Sequence, residues 1–324
     1  MKIFCSLLLS LSLLSCSSKK VTTDSMTQNE KSFERHAFLN DCSWVDNSIS
    51  EFWILLCQKD PHPQRSELYE YSLLFKTFKR LTYQDGRIQE MAVIGIDDII
   101  YTSTYDEAKE KFLEVSQGSA PGTDLYLRRR TVTDFKRISN DEGSDHSLFW
   151  SKELKALLFV NSSPKGHIIR KLTTDEKIFN LSKPSPRPII SPITLADGSL
   201  LWIERDESNQ RSLLFKRSAK TKESRALVSS TTPLIWIRPQ VGQPSVWLAF
   251  ANQSGSELWS FDLDRGCFYP RLMTDKKWTR FQLLDNQQVE LAIEDSGRTR
   301  LVRHNLNKPP ETCQFSPALL GGGK

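Results

Sequence analysis

Residues 147–160 read SLFWSKELKALLFV, and this stretch contains the two patterns that decide the fold. An aromatic strand that ends at Trp150 is followed by a polar turn and then by a continuous apolar run, Ala156 to Val160. A short, uninterrupted apolar run is typical of a strand that is buried on both faces of its sheet. We therefore predict two consecutive strands here, of which the second lies at the centre of a core.

The apolar run recurs along the chain, which indicates a repeat. Its other copies are Phe52 to Cys57, Ile99 to Thr102, Leu200 to Ile203, Val246 to Phe250 and Val289 to Ile293. Each copy precedes a strand with an apolar pair, as in Asp124-Leu125-Tyr126, and most then reach a closing phrase such as Arg80-Leu81-Thr82 or Arg137-Ile138-Ser139. The units are about 41 to 57 residues long, which falls in the range of propeller blades.

Four strands in each of six units predict an all-β fold: a six-bladed β-propeller with four-stranded antiparallel blades over residues 36–317. A twisted four-stranded sheet cannot bury both faces alone, whereas sheets packed radially around an axis bury each other. The exception to the strand pattern is YDEAKEKFLEV, residues 105–115, which predicts one short surface helix. It lies in a long insert, Ser103 to Thr123, which is either a tolerated insertion or a functional one.

The closing phrase, the aromatic strand and the buried strand together resemble the repeat of the TolB-like β-propeller family. The clearest copy runs from Arg137 to Ser162, with Phe149-Trp150-Ser151 in place. A second copy, Leu195 to Trp202, resembles the family's Asp-Gly turn that leads into its buried strand. The resemblance implies a propeller for most of residues 36–317. We expect no counterpart of the α/β domain that precedes the propeller in TolB, so TolB's own function is not expected to follow.

The first residues predict export and attachment to lipid. Lys2 precedes an apolar stretch from Ile3 to Leu14, which is too short to span a bilayer and is typical of a signal peptide. The stretch ends in Leu13-Leu14-Ser15-Cys16, which resembles the bacterial lipobox. We expect residues 1–15 to be removed and Cys16 to carry a lipid anchor; the alternative is an ordinary secretory signal. Ser17 after the cysteine resembles lipoproteins that are sorted to the outer membrane and face the periplasm.

Composition limits the partners that the protein is expected to bind. Residues 16–35 are polar and aperiodic, which predicts a flexible lipidated tether, and residues 318–324 form a short tail. The 44 basic and 39 acidic residues nearly cancel, and a net charge of +5 indicates a solvated surface rather than a nucleic-acid-binding face. The expected partners are an envelope protein or a peptidoglycan-associated component, and the membrane through the anchor.

Four cysteines remain once Cys16 is lipidated and Cys5 is removed with the signal peptide: Cys42, Cys57, Cys267 and Cys313. In an oxidising compartment they are candidates for disulfides. We favour local pairing of Cys42 with Cys57, on neighbouring strands of the first blade, which leaves Cys267 for Cys313. The alternatives are a clasp between Cys42 and Cys313, and free buried thiols.

The sequence contains no recognisable catalytic or metal-binding pattern, so we predict no catalytic residue, no metal and no cofactor. The five histidines are not at metal-ligand spacing, and a nucleophile elbow, a Walker A motif and a dinucleotide fingerprint are all missing. We interpret His146 as a satisfied turn histidine. We interpret three acid pairs as loop caps: Asp97-Asp98, Asp141-Glu142 and Asp262 with Asp264.

The predicted function is that of a non-enzymatic, membrane-anchored binding scaffold. Hairpins between the second and third strands of all blades emerge on one face of a propeller, and loops on a rigid scaffold commonly carry function. Besides the long insert they include Lys59 to Ser66, Asn161 to Gly166, Asp206 to Gln210 and Asn252 to Ser256. The alternatives are a structural envelope role and a glycan-acting hydrolase or lyase, which requires carboxylates or histidines that converge in the axial channel.

Overall fold

The structure is a computed structural model that describes most of residues 42–308. The residues within this span that it does not describe are 50–51, 60–61, 73, 85, 95–97, 106–121, 130–133, 241, 253–254, 284–287 and 296–297. The predicted signal peptide, Cys16, the tether and the tail lie outside the described residues. All described strands belong to one compact unit.

The described strands form six antiparallel sheets, which are the blades, and strand order within each blade follows the sequence. Blade 1 contains β1 (Cys42–Ile49), β2 (Phe52–Lys59), β3 (His62–Ser72) and β4 (Phe78–Arg80). Blade 2 contains β5 (Ile88–Ile94), β6 (Asp98–Ser103), β7 (Asp124–Arg129) and β8 (Phe135–Arg137). Blade 3 contains β9 (Ser144–Ser151), β10 (Ala156–Ser163), β11 (Gly166–Thr173) and β12 (Ile178–Asn180).

The second half of the ring repeats this arrangement. Blade 4 contains β13 (Ile189–Thr194), β14 (Leu200–Asp206), β15 (Arg211–Arg217) and β16 (Ser224–Ser230). Blade 5 contains β17 (Leu234–Pro239), β18 (Ser245–Asn252), β19 (Gly255–Asp262) and β20 (Cys267–Thr274). Blade 6 contains β21 (Trp278–Leu283), β22 (Gln288–Asp295) and β23 (Arg298–Asn305), and a fourth strand of this blade is not among the described residues.

The first strands of the blades surround the propeller axis. Strands β5, β9, β13 and β17 contact one another in that order, and β1 contacts both β5 and β23, so the ring closes between blades 6 and 1. This arrangement confirms the predicted six-bladed all-β fold. The predicted helix at 105–115 lies outside the described residues except for Tyr105. Among the residues that are described, no helix is long and apolar enough to cross a membrane.

The core lies between neighbouring blades rather than inside one. On β10, Leu157 and Phe159 pack against blade 2, whereas Leu158 and Val160 pack against blade 4. All four side chains are fully buried, as predicted from their uninterrupted apolar sequence. Equivalent clusters join blades 1 and 2, blades 4 and 5, and blades 5 and 6. Each blade is therefore stable only against its neighbours.

The closing phrase joins the outermost strand of a blade to its third strand. In blade 1, Arg80 pairs with Glu67 at 2.5 Å, and Thr82 Oγ1 donates to the same carboxylate and accepts from Leu68 N. In blade 2, Arg137 pairs with Asp124 at 2.5 Å in the same way. An acid before the apolar pair and an Arg in the closing phrase are thus two halves of one contact.

A second recurring contact joins each blade to the next one through a hydroxyl near the start of the third strand, which we call the junction hydroxyl. Four junctions contain it: Ser66 with Ile88, Thr123 with Asp145, Ser212 with Leu234, and Ser256 with Trp278. The hydroxyl bonds the backbone of a residue exactly 22 positions later, at the start of the next blade's first strand. These bonds satisfy backbone groups that would otherwise be buried without partners.

The structure has a disulfide between Cys42 and Cys57, which is the local pairing predicted from the sequence. The two residues are directly opposite each other on β1 and β2. Cys267 is also disulfide-bonded, but Cys313 lies outside the described residues, so the pairing of these two remains a prediction. Blade 1 is thus fastened covalently at its innermost pair of strands.

Candidate functional site

Blade 3 departs from the repeat at two positions where the other described junctions agree. Where the others have a junction hydroxyl, blade 3 has His167. At the start of the first strand the other blades place Ile88, Ile189, Leu234 and Trp278, all buried apolar side chains, but blade 3 places Asp145. Local departures from a rule that the rest of a fold obeys are expected at functional sites. We therefore take the hairpin end of blade 3 as the candidate site.

Asp145 is a buried carboxyl group between blades 2 and 3. Its side chain is 1% exposed and accepts hydrogen bonds from Ser139 Oγ at 2.5 Å and from Asn161 Nδ2 at 2.9 Å. Ser139 belongs to the closing phrase of blade 2 and also accepts from Leu125 N at 2.7 Å. Asp145 thus replaces an apolar contact between the blades with a polar network.

Burial raises the pKa of Asp145 from 3.8 to about 6, although the bonds from Ser139 and Asn161 act in the opposite direction. Arg170 also lowers this pKa, but it is paired with Asp141, and within the described residues its buried Nε has no hydrogen-bond partner. A carboxyl with a pKa near 6 changes charge close to neutral pH, so this network is sensitive to protonation.

A second row of polar side chains lies on the opposite face of the same blade, toward blade 4. Ser162 Oγ is 2.7 Å from His146 Nε2 and 2.7 Å from His167 Nδ1, and His146 Nδ1 is 3.0 Å from Ser147 Oγ. Ser162 has a single hydroxyl proton, so it can donate to only one of the two imidazoles. The other hydrogen bond therefore requires a histidine N–H that donates to the Ser162 oxygen. The row therefore couples the proton positions of the two rings.

Burial favours the neutral form of His146. Burial lowers its pKa, and the neighbouring His167 acts in the same direction, whereas the negative charge of Glu90 raises it. Glu90 belongs to β5, the first strand of blade 2, and its carboxylate accepts from Leu148 N at 2.9 Å. An imidazole whose neutral form is favoured is able to accept a proton, so His146 has one property of a general base.

The His167 side chain can join this row because backbone hydrogen bonds, rather than a side-chain hydroxyl, connect blade 3 to blade 4 at this position. Its N and O both bond to Ser185 at 2.9 Å, in the segment that leads to blade 4. Gly166 makes this close approach possible, since a Cβ at that position would lie 2.8 Å from the Ser185 carbonyl oxygen. The missing junction hydroxyl is therefore replaced by a two-residue bridge, and the imidazole turns to Ser162.

Of the histidine and acid residues singled out from the sequence, some have the predicted role in the structure and others do not. His146 is satisfied by hydrogen bonds, as predicted, but it lies in β9 rather than in a turn. Asp262 caps its own loop, accepting from Asp264 N and Arg265 N at 2.9 Å. Asp141 and Glu142 instead form ion pairs with Arg170 and Lys165. Among the described residues no group of His, Cys, Asp or Glu is arranged to hold a metal ion.

Sequence reasoning missed Glu90, Asp145, Ser162 and Arg170. Glu90 and His146 come from different blades, and Ser162 meets His167 only because the β10–β11 hairpin places them opposite each other. Asp145 did carry a signal. It is an acid at the one position where the repeat, aligned on the 22-residue junction spacing, otherwise requires an apolar side chain.

Comparison with solved structures finds other propellers. The chain is similar to TolB from Acinetobacter baumannii, with a TM-score of 0.54 and 14% identity over 83% of this chain and 66% of that one. A chain of a nidogen/laminin complex has a TM-score of 0.54 and 10% identity, covering 74% and 84%. Oligogalacturonate lyase from Vibrio parahaemolyticus has a TM-score of 0.55 and 9% identity, over 82% of this chain and 76% of that one.

These comparisons define the class of the protein, a six-bladed β-propeller of TolB-like fold. At such low identities the likeness shows the fold alone. The chain spans 66% of the length of the A. baumannii TolB structure. No protein-family model and no curated protein matches the sequence.

We predict that Asp145→Asn flattens the pH dependence of stability. The folded-state pKa of Asp145 is raised, so its contribution is fully present below pH 3.8 and is lost as pH rises through about 6. Relative to wild type, the Asn variant should gain about 2–3 kcal/mol of unfolding free energy between pH 4 and pH 7.5. Urea unfolding at the two pH values measures this, with exposed Glu142→Gln as the control. Parallel shifts in wild type and Asp145→Asn would contradict the assignment.

Proposed function

We propose that the protein is a lipid-anchored cell-envelope scaffold that binds a protein or cell-wall partner through one end of the propeller, which we call the hairpin face. The hairpin face carries the β2–β3, β6–β7, β10–β11, β14–β15 and β18–β19 connections. The observation that carries the proposal is the polar hairpin end of blade 3, where the repeat is broken on both faces of one sheet. The TolB and nidogen/laminin likenesses support a binding role without identifying a partner.

The disulfide supports a location outside the cytoplasm. Cytosolic thiols are kept reduced, whereas disulfides persist in the periplasm and at cell surfaces. The bond between Cys42 and Cys57 therefore agrees with the export predicted from residues 1–15. Because the lipobox-like sequence directly precedes Cys16, the same export route would attach the lipid.

The chemistry of the hairpin face favours a polar partner. Beside the Asp141–Arg170 pair lies the exposed Lys165–Glu142 pair at 3.2 Å, so both signs of charge are presented within one blade. Exposed ion pairs contribute little to stability, which leaves Lys165 and Glu142 free to exchange one another for groups on a ligand. A cell-wall glycopeptide or a polar protein surface offers matching donors and acceptors.

We predict that Cys16→Ser abolishes acylation of the protein. The Cys16 thiol is the proposed attachment site of the acyl chains, and each of their buried CH₂ groups contributes about 0.8 kcal/mol to anchoring. Radioactive palmitate labelling and membrane fractionation in the native host measure this. Cys5→Ser is the matched control, because that cysteine lies in the predicted signal peptide and should leave labelling unchanged. Equal labelling of wild type and Cys16→Ser would contradict the proposal that Cys16 carries the lipid anchor.

We predict that the partner is captured from the hairpin face. A photocrosslinking amino acid in place of exposed Lys165, in the β10–β11 turn, should give a discrete adduct in intact cells. The matched control replaces exposed Lys220, in the β15–β16 turn at the opposite face, and should give none. An adduct from position 220 with none from position 165 would contradict the proposal, because binding would then occur at the face opposite the hairpin face.

A second candidate function is a glycan-acting hydrolase or lyase, favoured by the presence of His146 and Glu90 on adjacent first strands, β9 and β5, at the axis. The likeness to oligogalacturonate lyase makes oligogalacturonate one substrate to test, beside peptidoglycan fragments. Our scaffold proposal predicts no turnover by wild type. Turnover that His146→Ala reduces by about a hundredfold or more, while Met273→Ser leaves it intact, would establish the enzyme instead.

A further inference from the structure

The β3–β4 turn of blade 1 exposes two large apolar side chains at its tip. Leu74 is 78% exposed and Phe75 is 72% exposed. In the described turns between third and fourth strands of blades 3, 4 and 5, residues 174–177, 218–223 and 263–266, the exposed side chains are polar or charged. Burial within the fold therefore does not explain why blade 1 places Leu-Phe at this position.

The turn is built to hold this tip outward. Ser72 N donates to Thr77 O at 3.0 Å, and Lys76 N donates to Ser72 O at 2.8 Å. Ser72 Oγ accepts from Phe75 N at 3.2 Å. Below the tip, the rings of Tyr71 and Phe78 pack with centroids 4.7 Å apart. Three hydrogen bonds and one aromatic contact thus fix the turn and its base, so the tip is presented without a large ordering penalty on contact.

The charged side chains in the segment from Ser72 to Arg80 have one sign, and the acid opposite Lys79 across the β3–β4 ladder, Glu70, is buried. Lys76 and Lys79 are exposed, and no described ion pair involves either of them. No acidic residue occurs between Ser72 and Arg80, and Arg80 is already committed to Glu67. Large apolar side chains flanked by lysines are the composition of a segment that enters the interface of an anionic membrane.

We propose that the β3–β4 turn is a second membrane contact, in which Leu74 and Phe75 insert among the acyl chains of an anionic phospholipid surface while Lys76 and Lys79 lie at its headgroups. A protein partner fits less well. Two side chains bury far less than the roughly 800 Å² per partner of a stable protein interface. A lipid surface has no such requirement when another anchor already holds the protein nearby.

The inference rests on the proposed lipid anchor for its biological setting, and the length of the chain permits both contacts. From Cys16 to Cys42 there are 26 residues, which reach about 85 Å when extended. Because strand β1 starts at the hairpin face, simultaneous contact by the anchor and the turn requires a reach of at least the length of the blade, whose eight-residue strand is about 26 Å long. Docking by the turn would then point the hairpin face away from the lipid.

The test uses the unlipidated chain from Ser17 to Lys324, which retains every described strand. Flotation with vesicles of phosphatidylethanolamine and phosphatidylglycerol should show binding, and vesicles of phosphatidylcholine alone should bind less. The double variant Leu74→Ser/Phe75→Ser should lower the partition coefficient at least about tenfold. Lys76→Glu/Lys79→Glu should lower binding to the anionic vesicles only. Met273→Ser, which removes another exposed apolar side chain, at 59% exposure on blade 5, is the matched control.

Absence of vesicle binding by the wild-type chain, or equal binding by the Leu74→Ser/Phe75→Ser variant, would overturn the proposal. A photocrosslinking residue at position 75 of the lipidated protein gives a second readout in cells. An adduct with lipid supports the membrane contact, and an adduct with a protein replaces it with a protein partner. Because the vesicle assay omits Cys16, its outcome is independent of palmitate labelling, so failure of the turn and failure of the anchor are distinguishable.

Discussion

Every blade depends on burial of both faces of its second strand by its two neighbours. Leu157 and Phe159 contact blade 2, and Leu158 and Val160 contact blade 4, so β10 cannot be removed from water by its own sheet. The hydrophobic contribution of each such residue is realised only in the assembled ring. The junction hydroxyl then fixes the spacing of neighbouring blades, because it bonds a backbone group at a repeated position. The closing phrase fixes the outermost strand within each blade.

Polar groups at core positions are costly unless they are satisfied, and this explains the form of the blade 3 site. Asp145 replaces a buried apolar residue, and its desolvation is only partly offset by Ser139 and Asn161. In a repeat fold the same position elsewhere shows what stability alone selects, which here is Ile, Leu or Trp. The carboxyl therefore reduces stability at neutral pH relative to its counterparts, and a protein retains such a residue when it serves another purpose.

The fold was predictable because its signal is periodic and local. Apolar runs such as Val246 to Phe250 identify the buried strands, and Cys42 and Cys57 could be paired because consecutive antiparallel strands place them together. The site was not predictable in the same way. The Glu90 carboxylate bonds Leu148 N across a blade junction, and the Ser162–His167 contact depends on hairpin register, which a one-residue shift would abolish. Exposure of Leu74 and Phe75 likewise depends on the turn's hydrogen bonds.

The polar hairpin end of blade 3 and the apolar β3–β4 turn of blade 1 lie at opposite ends of the propeller. Their placement therefore bears on how the propeller is oriented relative to a membrane. Strand connections alternate between the two ends, so the β10–β11 turn and the β3–β4 turn cannot face the same surface. A ring of tightly packed blades is rigid, and the end that contacts lipid therefore determines what the other end meets. A tether alone fixes distance from the membrane but leaves rotation free. A second contact on one blade removes that freedom, which gives a polar site on another blade a defined direction in which to bind.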